Sequence, residues 1–102
     1  MIGLITVRQI KAGSYDQFRE AWTPDPWPPK LQRVEIFRND DQPDQVVTVT
    51  YIDATGDELE AMRDDPKILE AEARRLERLN PFQEATLLSG IFDLVEEVRP
   101  PA

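Results

Sequence analysis

Few residues in this chain are equipped for chemistry, and their kinds narrow the choice. It holds no histidine and no cysteine. Neither a Ser-His-Asp nor a Cys-His nucleophile system can therefore be assembled, and zinc sites with the usual ligand set are ruled out with them. The glycines Gly3, Gly13, Gly56 and Gly90 are scattered, which leaves no phosphate-binding loop. Acid–base work falls to Asp, Glu, Tyr or Lys. One constellation combines suitable types. Trp22 and Trp27 flank or occupy a proline-rich stretch, TPDPWPPK at 23–30, and Arg33, Glu35 and Tyr51 follow it. In a functional reading the two tryptophans wall a small-molecule pocket under a stiff lid. Arg33 then helps to bind the substrate, and Tyr51 or Glu35 moves a proton. In a plainer reading Trp22 caps the core and Trp27 pins the loop. Arg33 and Glu35 then form an exposed or interfacial ion pair.

Other polar groupings have simpler explanations. Asn39, Asp40, Asp41 and Asp44 lack the loop pattern of a calcium hand, and read as a solvated turn. Asp64-Asp65 and Glu96-Glu97 read as capping and surface charge. No metal and no cofactor are expected.

The elements that must position these residues follow from periodicity. Gly3–Ile10 is rich in branched residues and ends at Lys11-Ala12-Gly13, which reads as a first strand. Ser14 and Gln17 have capping-box spacing, and Tyr15, Phe18 and Trp22 recur as one face of a short helix that stops before Pro24. The prolines exclude helix or central strand for 23–30. Leu31–Arg38 and Gln45–Asp53 read as a hairpin about the polar turn NDDQPD. Thr55, with Glu58 three residues on, opens a second helical region. Asp65-Pro66 should break that region and restart it, with Leu69, Ala73 and Leu76 as its buried stripe. Glu84–Val98 reads as the last strand, with Gly90 marking a bulge or close approach, and 99–102 as a tail. The order β-α-β-β-α-β is the ferredoxin-like α+β arrangement. It predicts one domain over 1–98, with a four-stranded antiparallel sheet and helices on one face.

Two-sided strands predict a partner. Val47, Val49 and Tyr51 alternate with Val46 and Ile52, and Leu88 and Phe92 with Leu87 and Ile91. Helices cover only one face, so the other leaves an apolar patch that monomers rarely tolerate. A homodimer is the commonest resolution. Twelve basic against twenty acidic residues give a net charge of −8, which opposes nucleic acid and anionic lipid as partners. No run is long and apolar enough to span a membrane, and the start does not read as a signal peptide. With no cysteine, a cytoplasmic setting is expected.

The element order and the stretch VVTVTYIDATGDELEAMRDDP, with Tyr51, Asp53, Glu58-Leu59, Ala61 and Asp65-Pro66, resemble the antibiotic-biosynthesis-monooxygenase group of the dimeric α+β barrel superfamily. The resemblance implies a barrel made from the sheets of two subunits, with a ligand cavity between each sheet and its own helices. Many members of the group carry tryptophan near the end of the third strand, where this chain has Tyr51-Ile52-Asp53. Haem-degrading members hold iron through histidine, so haem degradation by that ligand is excluded. Cofactor-free oxidation, as in quinone-forming members, remains open.

The expected ligand is an uncharged or weakly anionic molecule of aromatic size, held between the sheet and the first helix under 23–30. Its reaction would be oxygen-dependent oxidation or isomerisation of an already reactive aromatic or polyketide-like substrate. The alternative is a non-catalytic ligand-sensing or protein-interaction module. An RNA-recognition role shares the element order but lacks the aromatic-basic strand it needs.

Overall fold

The computed structural model describes residues 1–101. The branched run forms strand β1 over Ile2–Ile10. Gly13, at φ +71°, supplies the left-handed turn that follows, and helix α1 covers Tyr15–Trp22. The expected capping box at Ser14 does not form. Ser14 has φ −101° and ψ 13° rather than an extended cap geometry, and its hydroxyl donates to the Lys11 carbonyl at 2.6 Å. Thr23 is extended, with ψ 120°, as Pro24 requires.

Strands β2 (Leu31–Arg38) and β3 (Gln45–Ile52) pair antiparallel. Their turn is closed by Asn39, whose side chain accepts from the Asp41 amide at 2.9 Å. Helix α2 covers Gly56–Arg63. The Thr55 hydroxyl accepts from the Glu58 amide and the Glu58 carboxylate accepts from the Thr55 amide, each at 3.2 Å. The break falls at Asp65-Pro66: the Asp65 carboxylate accepts from the Lys67 amide at 2.9 Å, and helix α3 runs over Pro66–Leu79. A short 3-10 turn, Asn80–Phe82, leads into strand β4, Gln83–Asp93.

Three details differ from expectation. Strand β4 ends at Asp93 rather than Val98, because its partner β1 begins at Ile2; just past that pair the Leu94 amide donates to the Met1 carbonyl at 3.1 Å. Two register shifts between β1 and β4 leave Leu87 and Glu84, not Gly90, unpaired. Gly90 is the close approach that was expected as the alternative to a bulge: it lies beneath the Phe92 ring, where an added Cβ would come within 2.9 Å of it. On α3, Leu69 and Leu76 are exposed, while Leu79 is buried and Ile68, Ala71 and Arg75 are half-buried. The long apolar stem of Arg75 helps to line this inner face.

The sheet order is β2-β3-β1-β4, antiparallel throughout. The helices cover the face that carries Ile2, Leu4, Thr6, Arg8 and Ile10 of β1 and Val46, Thr48, Thr50 and Ile52 of β3. Apolar packing gathers at two ends of this face. Ile10, Phe18, Trp22, Val46 and Leu79 form one cluster, and Ile2, Ile52, Ala54 and Leu59 the other. Between them, both central strands turn polar. The molecule is a two-layer slab, 44 × 36 × 19 Å.

Candidate functional site

Where β1 and β3 turn polar, the side chains are too short, or too well engaged, to fill the space under the helices. A cavity of about 540 Å³ lies there, within the range of small-molecule sites. Its floor is Leu4, Thr6, Arg8, Thr48 and Thr50; Trp22, Pro24 and Pro28 wall it from α1 and the connector, and Glu72, Arg75 and Leu76 from α3. Its mouth runs along β4, whose lining residues Thr86, Ser89 and Ile91 are exposed.

Arg8 is the unusual member. It is only 7% exposed. Its Nε donates to Gln83 Oε1 at 3.1 Å and its Nη1 to Thr48 Oγ1 at 3.3 Å, and its guanidinium lies 5.8 Å from the Phe18 ring centre. Among the described residues no carboxylate pairs with it. Burial first, and then the Arg75 charge, pull its pKa down from the ordinary guanidinium value to about 10, with Glu72 opposing; it stays cationic at neutral pH.

Arg75 organises the opposite wall. It forms a two-point ion pair with Glu72, at 2.6 and 3.1 Å, and lies 5.3 Å from the Trp22 ring centre. It also donates to the Trp22 carbonyl at 3.3 Å, while Arg78 donates to the Thr23 carbonyl at 3.2 Å. Two arginines of α3 thus take up carbonyls at the end of α1 that the helix itself cannot satisfy, and this ties the start of the connector to α3. With Arg63, the lining holds three arginines against one glutamate.

No protein-family model and no curated protein matches the chain. Solved structures do. SnoaB, a cofactor-independent oxygenase from Streptomyces nogalater, superposes with a TM-score of 0.71 at 13% identity over 97% of each chain. A candidate antibiotic biosynthesis monooxygenase from Chloroflexus aurantiacus gives 0.67 at 16% over 96% of each. One from Nitrosomonas europaea gives 0.65 at 17%, over 94% of this chain and 100% of that one. The fold is that of the antibiotic-biosynthesis-monooxygenase structures. Identities this low carry the architecture and leave the chemistry to the residues present.

On this fold the residues singled out in the sequence fall into separate places. Trp22 lines the cavity. Trp27 does not; it meets Trp22 edge-on, with ring centres 6.4 Å apart, and borders a small crevice that Ile68 and Ala71 of α3 also line. Trp22, Trp27 and Arg33 share a shallow outer groove at the β2 edge. Arg33, Glu35 and Tyr51 do come together, with the Arg33 guanidinium 4.2 Å from the Tyr51 ring centre and 4.0 Å from the Glu35 carboxylate. They stand, however, on the sheet face away from the helices, so they do not orient a ligand in the cavity as expected. Parity decides this: Arg33 is registered with Tyr51, and Glu35 with Val49, whereas Thr48 and Thr50 point the other way. The Glu35 carboxylate, as acceptor and as charge, together with burial, outweighs Arg33 and raises the Tyr51 phenol above its ordinary value. At neutral pH Tyr51 is therefore a donor rather than a base.

The cavity residues Arg8, Thr48, Thr50 and Arg75 were not singled out. The signal was available: alternate residues of the first and third strands read apolar at both ends and Thr or Arg between.

Proposed function

We propose that the cavity above Arg8 binds a small aromatic or polyketide-like substrate and is the site of cofactor-independent, oxygen-dependent oxidation, in a homodimer. The cavity carries this reading. It has the volume and mixed polar and apolar lining of a small-molecule site, and it sits in a fold shared with SnoaB, a cofactor-independent oxygenase. In such a reaction the substrate supplies the electrons. An acidic CH₂ group loses a proton, dioxygen adds at carbon, and the peroxide expels water to leave a carbonyl, so CH₂ and O₂ become C=O and H₂O. Proximity and shape are the protein's part.

One observation favours a second reading. The cavity's single carboxylate, Glu72, is held by Arg75, which leaves no free carboxylate base against the substrate. A non-catalytic binder fits that arrangement. A hydroxylated anthrone separates the two. Oxygen uptake matching quinone formation, above the rate without protein, supports the oxygenase; binding that leaves the spontaneous rate unchanged favours the binder.

The dimer rests on the open sheet face and on exposed area. Phe37, Leu88 and Phe92 are 54%, 49% and 46% exposed, beside Ile5, Val7, Val47 and Val49. The accessible surface is 7122 Å², against roughly 5,900 Å² for a compact monomer of this mass. The radius of gyration is 14.8 Å, against roughly 12.8 Å for this length.

A further inference from the structure

We infer that the ligand of this cavity is an organic anion, and that Arg8 binds its charged oxygen. The inference rests on the reading of the cavity as a ligand site and narrows it to a substrate class.

Arg8 is more than nine-tenths buried and has no carboxylate partner among the described residues. A buried cation of this kind is costly unless something neutralises it. The candidate carboxylate on the facing wall, Glu72, is engaged by Arg75. The contacts Arg8 does make, to Gln83 and Thr48, are with neutral oxygens and occupy only Nε and Nη1. Among the described residues no fully buried side-chain nitrogen or oxygen lacks a partner, so the remaining guanidinium donors open onto the cavity that Arg8 lines. Gln83 and Thr48 fix the plane of the guanidinium, which makes its free edge a preorganised fork for a carboxylate, phenolate or enolate oxygen. Hydroxyls of Thr6, Thr50 and Ser89 line the same space and can donate to the same oxygen. On the opposite wall Arg75 is already paired with Glu72, so an anion entering here balances the charge of Arg8.

Three probes of nearly equal shape test this: 2-naphthoate, 2-naphthol and the neutral 2-naphthamide, titrated by calorimetry against the purified full chain at pH 7.5. The expected result is that 2-naphthoate, or 2-naphthol in its anionic form, binds at least tenfold more tightly than 2-naphthamide. Ultraviolet absorbance separates the two sources of charge, since a bound naphthol held as naphtholate shows the red-shifted anion band. Arg8→Gln should abolish the preference while Arg8→Lys keeps part of it. In case Arg8→Gln fails to fold, Glu72→Gln is the second variant. It removes the cavity's only carboxylate, so it should tighten anion binding several-fold, a gain that misfolding does not produce. Equal binding of all three probes overturns the anion inference and leaves the cavity a ligand site. Binding of none overturns the cavity reading, and the inference falls with it.

Discussion

Arg8 and Trp22 define the cavity from opposite sides, one by charge and one by bulk. Trp22 is held by Arg75 at its carbonyl and against its ring, and Trp27 braces it from outside. Shortening the inner wall should therefore matter more than removing the brace. Trp22→Phe should weaken probe binding by about tenfold, because lost contact area at an enclosed wall costs about 1–2 kcal/mol. Trp27→Ala, at a position 51% exposed, should weaken it by less. Calorimetric titration of both variants checks the order. Of the residues singled out in the sequence, Trp22 lines the cavity, whereas Arg33, Glu35 and Tyr51 lie on the other face of the sheet. Arg33, Glu35 and Tyr51 looked convergent because they are close in space, and they are. Proximity along strands does not say which face is covered, and only one residue of slip separates Thr50 from Tyr51. Arg8 was passed over for a different reason. A single arginine in a branched strand reads as an outward residue, and its place inside shows only when the alternate positions of both central strands are compared.

At the scale of elements, the clearest sequence signals were the caps, since a cap is a local event decided within a few residues. Thr55 with Glu58, and Asp65 with Pro66, both formed where expected. Ser14 failed because the preceding turn claimed its hydroxyl. Thr55→Ala should cost about 1 kcal/mol, a fall in Tm of about 4–8 °C for a domain this size, read by thermal unfolding. Glu58 also pairs with Lys30, which ties α2 to the end of the connector. Lys30, then the Thr55 amide, lowers the Glu58 pKa, and Glu58 raises that of Lys30. The signs fix the window. The depressed carboxyl contributes stability above its unfolded value of 4.5, and that contribution is lost as pH falls through the folded value. The raised ammonium contributes below its unfolded value of 10.5, and its contribution is lost as pH rises through the folded value. Glu58→Gln should therefore lower stability between the two unfolded values of 4.5 and 10.5 and converge with the unsubstituted chain at lower and higher pH, which flattens the pH dependence of unfolding at both ends. Urea midpoints measured across pH check this.

At the scale of the molecule, the two faces of the sheet answer to different demands, and substitutions separate them. Ile52 is 2% exposed and packs in the core, so Ile52→Asp should abolish folding, at a cost above about 4 kcal/mol. Val49 lies on the open face with Glu35 as its neighbour, so Val49→Asp should leave a folded chain that no longer pairs. Circular dichroism and light scattering together distinguish these outcomes, and a wild-type chain that scatters as an 11.8 kDa monomer removes the dimer. The slab also has an inside and an outside of opposite charge. Its lining holds three arginines and one glutamate, while the chain as a whole carries −8. An anion arriving from solution is repelled at long range and attracted only once it is within the mouth. Ionic strength acts on these two stages unequally, since the screening length shrinks from about 30 Å at 0.01 M to about 8 Å at 0.15 M. Added salt over that range removes the outer repulsion while leaving the short contacts inside largely intact. The association rate of 2-naphthoate in stopped-flow mixing should therefore rise with salt, the reverse of ordinary electrostatic steering between opposite charges, while its dissociation rate changes little. An association rate that falls with salt would mean that the cavity's own field, not the acidic exterior, governs entry.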